Sequence, residues 1–224
     1  MSKLEKKSLT GKLIVLAIFA VAMGYFEAAI VVYLRRLLYP EGFSFPLVPI
    51  DTELIIIELL RELATMIMLA SVAVIAARKF WELFGVFVFI FGIWDIFYYV
   101  WLKATIGWPA SLVDLDILFL IPIPWIGPVI APVLISVLMI EVGFVLIRTY
   151  HRGNYFKPPL ISWLCGILAT GLILFSFMRD VDASLRQQMP QDYLYSLLAT
   201  GLLLYVIGFV TAYRKSRSTT PTES

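Results

Sequence analysis

Residues 54–77 read LIIIELLRELATMIMLASVAVIAA. A helix rising 1.5 Å per residue needs about 20 apolar residues to cross a hydrocarbon layer of roughly 30 Å. This run is long enough, and it decides the fold class, yet its head holds Glu58, Arg61 and Glu62. Spacings of three and four put all three on neighbouring positions of one helical face, with Thr65 one turn deeper. A charge inside a membrane helix costs a few kcal/mol even on lenient insertion scales, so such groups face the bundle interior and are paired or functional.

The same pattern recurs along the chain. Of 224 residues, 61% are hydrophobic and 15% charged, and the mean hydropathy is +0.90; soluble domains carry about 25% charged residues. The expected fold is all-α: a polytopic bundle of six membrane-spanning helices at about 13–35, 54–77, 82–102, 127–147, 160–178 and 193–213. Residues 1–12 form an N-terminal segment, 13–213 the transmembrane domain, and 214–224 a disordered polar tail. The basic start followed by an apolar run resembles a signal peptide, but the run continues to Leu34 with no small-residue cleavage site before a polar start. It reads as a span.

Orientation follows from Lys and Arg. One set of loops and ends holds Lys3, Lys6, Lys7, Lys12, Arg78, Lys79, Arg148, Arg152, Lys157, Arg214, Lys215 and Arg217; the other holds Arg35, Arg36, Lys103, Arg179 and Arg186. The richer set marks the cytoplasmic side. Both termini are therefore expected in the cytoplasm, in a multi-pass protein of the cell (inner) membrane. On the opposite side, ILFLIPIPWIGP (117–128) is too apolar for an aqueous loop, and prolines 122, 124, 128 and 132 interrupt helix. It reads as a Pro-rich apolar segment before helix four, either re-entrant or a kinked extension of that helix.

Counting along the spans places Glu27 roughly 7 Å, Glu62 about 6 Å and Asp95 about 10 Å below the outer boundary. Three acids on three helices share one layer. Tyr98 and Tyr99 follow Asp95 at three and four residues, where their hydroxyls reach the same pocket. Glu58–Arg61 forms a local pair, and Arg35, Arg36 and Lys103 form a basic rim, with Asp114 and Asp116 nearby. Glu141, deeper in span four, is expected to pair with Arg78, Lys79 or Arg148. Cys165, Gly166, Thr170 and Gly171 of span five, with Thr200, Gly201 and Gly208 of span six, read as small packing residues.

One histidine and one cysteine argue against haem, copper or zinc. Net charge +2 gives no case for nucleic acid. No Walker loop, dinucleotide fingerprint, metalloprotease motif or nucleophile elbow is present. Three readings remain. In the first, Glu27, Glu62 and Asp95 bind a proton or a hard cation in a small transporter, with Arg61 tuning them. In the second, the charges only lock helices together in a scaffold or assembly subunit, with itself or another protein. In the third, the basic rim holds a lipid phosphate in the outer leaflet for an embedded enzyme. The bilayer is the one partner all three require; a small ion or lipid is the expected ligand.

Overall fold

The computed structural model describes residues 3–182 and 186–218. Its elements are α1 (Lys3–Leu38), α2 (Thr52–Ala76), α3 (Phe80–Ile106), β1 (Leu115–Phe119), β2 (Trp125–Pro128), α4 (Ile130–His151), α5 (Leu160–Met178) and α6 (Tyr195–Ser218). All six helices are long and apolar enough to cross a membrane. The protein is a six-helix multi-pass bundle, and its environment is a lipid bilayer.

Helix α1 starts at Lys3, so residues 3–12 are helical and continuous with the first span, whose apolar stretch begins at Leu9. Residues 214–218, expected in the tail, form the last turn of α6; residues 219–224 lie outside the described residues. Lys12 pairs with Glu82 at 2.8 Å, and the Lys157 N–H donates to Ser216. These links bring the starts of α1, α3 and α5 to the end of α6 at one pole, called here the termini end. The opposite pole carries the β-hairpin.

In lipid, apolar contact alone gives helices little reason to associate; close backbone approach does. Helix α3 is the centre, with α1 on one side and α4 on the other. A Cβ at Gly24 of α1 would stand 2.9 Å from the Trp94 carbonyl, and one at Gly92 of α3 would stand 2.5 Å from the Ser136 carbonyl. Gly85 and Gly143 interlock nearer the termini end, where a Gly143 Cβ would meet the Gly85 carbonyl at 2.6 Å. Around them pack Leu16 and Ala20 of α1, Leu69 and Ala73 of α2, and Val86 and Ile90 of α3. Of the small residues expected to pack α5 on α6, Gly201 and Gly208 do so against Ile173 and Cys165, whereas a Cβ at Gly166 or Gly171 would enter open space.

This contrast yields a test. Gly143→Ala is expected to cost about 1–3 kcal/mol through overpacking, seen as a lowered thermal midpoint in detergent. Gly171→Ala is expected to be neutral or slightly stabilising, because only backbone entropy changes. Equal effects would show that α3–α4 contact is not set by the glycines.

The Pro-rich segment is not a kinked extension of α4. It is an antiparallel hairpin, pairing Leu115 with Pro128, Asp116 with Gly127, Ile117 with Ile126 and Phe119 with Trp125, with a register shift between Ile117 and Phe119. Ile and aromatic residues suit a pleated surface. Pro122 and Pro124 fall in the connection, where no ladder bond is lost, and Pro128 ends a strand. The fourth helix therefore begins at Ile130, three residues later than expected, because residues 125–128 are strand. The hairpin base is fastened to the start of α4, with Val129 and Ile130 N–H donating to the Asp114 and Leu112 carbonyls. Gly127 lies against the Phe177 ring of α5.

Candidate functional site

Helices α1, α2 and α3 and the hairpin converge in the half of the bundle toward the hairpin end. Arg61 of α2 bridges two acids. Its Nε donates to Glu58 at 2.8 Å, one turn back on the same helix, and its Nη1 donates to Glu27 of α1. Thr65 bonds weakly to Glu27 at 3.5 Å, while donating to the Arg61 carbonyl at 3.1 Å. All three charged side chains are largely buried. Pairing satisfies them locally.

Glu62 does something else. Both of its carboxylate oxygens accept the Leu120 N–H at 3.0 Å, at the tip of the hairpin. That N–H has left the β-ladder, and a backbone donor away from water needs an acceptor. The charged head of α2 thus docks a strand turn. Glu62 makes no salt bridge among the described residues, although the Arg61 charge acts on it from the next position of α2, and its side chain is buried.

Asp95 of α3 is half-buried and accepts the Ser136 hydroxyl of α4 at 2.8 Å. The tyrosines expected beside it lie differently. Tyr98 and Tyr99 contact each other, and Tyr99 faces Asp116 and the Trp108 ring. Tyr99 follows Asp95 by four residues but points up toward the hairpin.

The basic rim is not assembled as a rim. Arg35 is buried and donates to Asp116 of β1 at 2.8 Å. Its guanidinium is clamped between the Trp108 ring at 3.7 Å and the Phe43 ring at 4.3 Å. Lys103 donates to the Gly107 and Pro109 carbonyls at 3.1 and 2.7 Å, capping α3 where Gly107 turns the chain at φ +72°. Arg36 is exposed.

Asp116 is the acid that sequence reasoning placed only "nearby"; it is 2% exposed. Burial pushes its carboxyl up to about 6, against the pull of Arg35 and of the Ile117 N–H. One Asp116 oxygen and one Arg35 nitrogen remain buried without a partner. Glu141 is exposed on α4 and pairs with none of Arg78, Lys79 or Arg148 among the described residues.

The acids therefore fall into three arrangements: an Arg61-bridged pair, an Arg35–Asp116 pair, and Glu62 and Asp95 with only neutral donors. Among the described residues, no three His, Cys, Asp or Glu side chains are grouped to hold a metal ion. Glu27, Glu62 and Asp95, expected in one layer, form no such cage among the described residues. What the arrangement can do chemically is accept protons at Glu62 and Asp95, and tie a hairpin to three helices. Comparison with protein-family models, curated proteins and solved structures finds no match.

Proposed function

We propose that this chain is a small proton-binding carrier of the cell membrane, oriented with both termini in the cytoplasm. The observation that carries the reading is a charge imbalance in one buried layer. Glu27, Glu58, Glu62, Asp95 and Asp116 share it with two bases, Arg35 and Arg61, and both bases are used by the other three acids. Glu62 and Asp95 then meet only an N–H and a hydroxyl. An intramembrane carboxyl without a salt bridge of its own marks a proton or ion site by default; among the described residues Glu62 and Asp95 stand singly, not in a group of three ligands. Glu62 also gives the proton a structural consequence. Protonation removes acceptor strength from the group holding the Leu120 N–H, so loading the site loosens the hairpin tip from α2.

A second reading keeps its own support: the Arg61 bridge and the Arg35–Asp116 pair lock elements together without any ligand, as in a scaffold. The test separates the two. Wild type and Glu62→Gln are unfolded thermally in nanodiscs across pH and with Na⁺, Mg²⁺, Ca²⁺ or Mn²⁺. A ligand bound only by the folded state raises its apparent stability. The expected result is a pH-dependent component of stability that Glu62→Gln abolishes, with no cation substituting for it. Equal destabilisation by Glu62→Gln under every condition would make Glu62 a structural clamp and leave the scaffold reading.

A further inference from the structure

A cleft of about 550 Å³ lies between the α3–α4 pair and the α5–α6 pair, away from the acidic layer. Toward the hairpin end it is shut by Ala131, Ile173 and Phe177 packed with Trp125. Toward the termini end, Leu146, Phe156 and Ala212 join the two pairs. Between these closures the wall is Val88, Leu138, Val142, Ile167 and Phe209. It opens sideways, where Phe80, Phe84, Trp163 and Ile167 are exposed.

Such a space at membrane depth does not stay empty, because unfilled apolar walls forfeit their dispersion contacts. Its volume falls in the range of about 300–1,000 Å³ typical of small-ligand sites. A single spanning helix about 30 Å long and ~10 Å across takes on the order of 2,400 Å³, so no helix enters it. An acyl chain does.

The part of the lateral opening nearest the termini end names the headgroup. Trp81, the second residue of α3, touches Trp163, the fourth of α5, with ring centroids 5.7 Å apart. The first turns of the two helices thus flank the same opening, bridged by these rings, and neither has a side-chain cap. Helix N-termini attract anions through their free N–H groups and dipole. Arg78 and Lys79 directly precede α3, and Lys157 lies three residues before α5; all three are exposed. The acid in this region, Glu82, is already held by Lys12 Nζ at 2.8 Å and the Arg78 N–H at 3.0 Å. Ser162 Oγ, on the cleft wall, is buried without a partner.

We infer that this cleft is a binding site for one anionic phospholipid, its phosphate at the paired N-termini of α3 and α5 and one acyl chain between α3–α4 and α5–α6. The site is separate from the acidic layer and does not depend on the proton-binding reading.

The test uses full-length protein in dodecyl maltoside, titrated with phosphatidylglycerol or phosphatidylcholine carrying brominated chains, with tryptophan quenching as the readout. The expected result is saturable quenching with at least tenfold preference for phosphatidylglycerol. Lys79→Gln and Lys157→Gln should each weaken phosphatidylglycerol roughly fivefold, as for one basic residue near a lipid surface. Gly166→Leu fills open space and should remove saturation; Ile167→Phe serves the same purpose if that variant fails to fold. Equal affinity for the two lipids, or indifference to the lysines, overturns the headgroup assignment. Saturation that persists in both filled variants overturns the cleft. Self-association of wild type that lipid fails to displace and Gly166→Leu abolishes would assign the cleft to a second copy instead.

Discussion

Arg35→Met is expected to lower the stability of the folded bundle by about 3–5 kcal/mol near neutral pH, the usual cost of leaving one member of a buried ion pair alone. The geometry places this site at the severe end. Asp116 is 2% exposed, and Arg35 is its sole salt-bridge partner among the described residues. The same substitution empties the slot between Trp108 and Phe43, where desolvated cation–π contacts contribute roughly 2 kcal/mol. Arg35→Met with Asp116→Leu should recover most of the loss, since apolar replacement of a whole buried pair is often neutral. The comparison is made by thermal unfolding in nanodiscs. It also has a pH signature. The folded state holds the Asp116 proton up to about 6, against about 3.9 for an ordinary aspartate. A raised folded value contributes stability below pH ~4 that is lost as pH climbs through 6. Without Arg35 the carboxyl rises further, so the deficit of Arg35→Met should shrink on acidification. Asp95 also interacts electrostatically with Asp116, and Asp95→Asn is the control for its share. A deficit that is the same at pH 5 and pH 8 would rule out an uncompensated Asp116 charge as its cause.

Why the sequence yields the spans but not the hairpin is a matter of period and length. A stretch such as 54–77 has one stable form in lipid, because only a helix satisfies its own backbone over that distance. ILFLIPIPWIGP is too short to be bound by that rule, and its apolar side chains fit helix or strand equally. Its prolines exclude helix but do not say what replaces it. The answer depends on acceptors elsewhere in the chain: the Asp114 and Leu112 carbonyls at the base and Glu62 at the tip. Depth counting along the spans drew attention to Glu27, Glu62 and Asp95. It could not assign partners, because facing direction changes by 100° per residue while depth changes by 1.5 Å. Hence Tyr99 turned from Asp95 toward Asp116, and Arg35 turned from the rim into the core. The tight helix contacts escaped for a related reason. Gly85, Gly92 and Gly143 sit in α3 and α4 without a spacing motif, and the signal for α1 was the Ala20, Gly24, Ala28 run, a small residue at every fourth position; the small-residue clusters of α5 and α6 stood out, though a Cβ at Gly166 or Gly171 there meets nothing.

Arg61→Met is expected to cost as much as the loss of Arg35, about 3–5 kcal/mol, but to fail differently. Two carboxylates, Glu27 on α1 and Glu58 on α2, lose their only salt-bridge partner among the described residues at once. They are then like charges in a poorly screened layer, pushing apart the two helices that Arg61 had joined. Arg61→Lys should restore little. A guanidinium presents Nε to one acid and Nη1 to the other in a fixed plane, whereas an ammonium is a single compact point charge. Neutralising the acids separates repulsion from lost bonding. Glu27→Gln and Glu58→Gln on the Arg61→Met background should each regain part of the stability, and both together should regain most of it. The effect should also reach Glu62, which lies next to Arg61 on α2 and holds the hairpin tip. If α2 swings away from α1, the Leu120 N–H loses its acceptor, and amide exchange at the hairpin tip should speed up in Arg61→Met but not in the triple variant. Fast exchange in both would mean that the Arg61 bridge itself, and not relief of carboxylate repulsion, holds α2 where Glu62 reaches the tip. Slow exchange in both would mean that α2 is held by its packing on α3, with the Arg61 bridge contributing stability but not position.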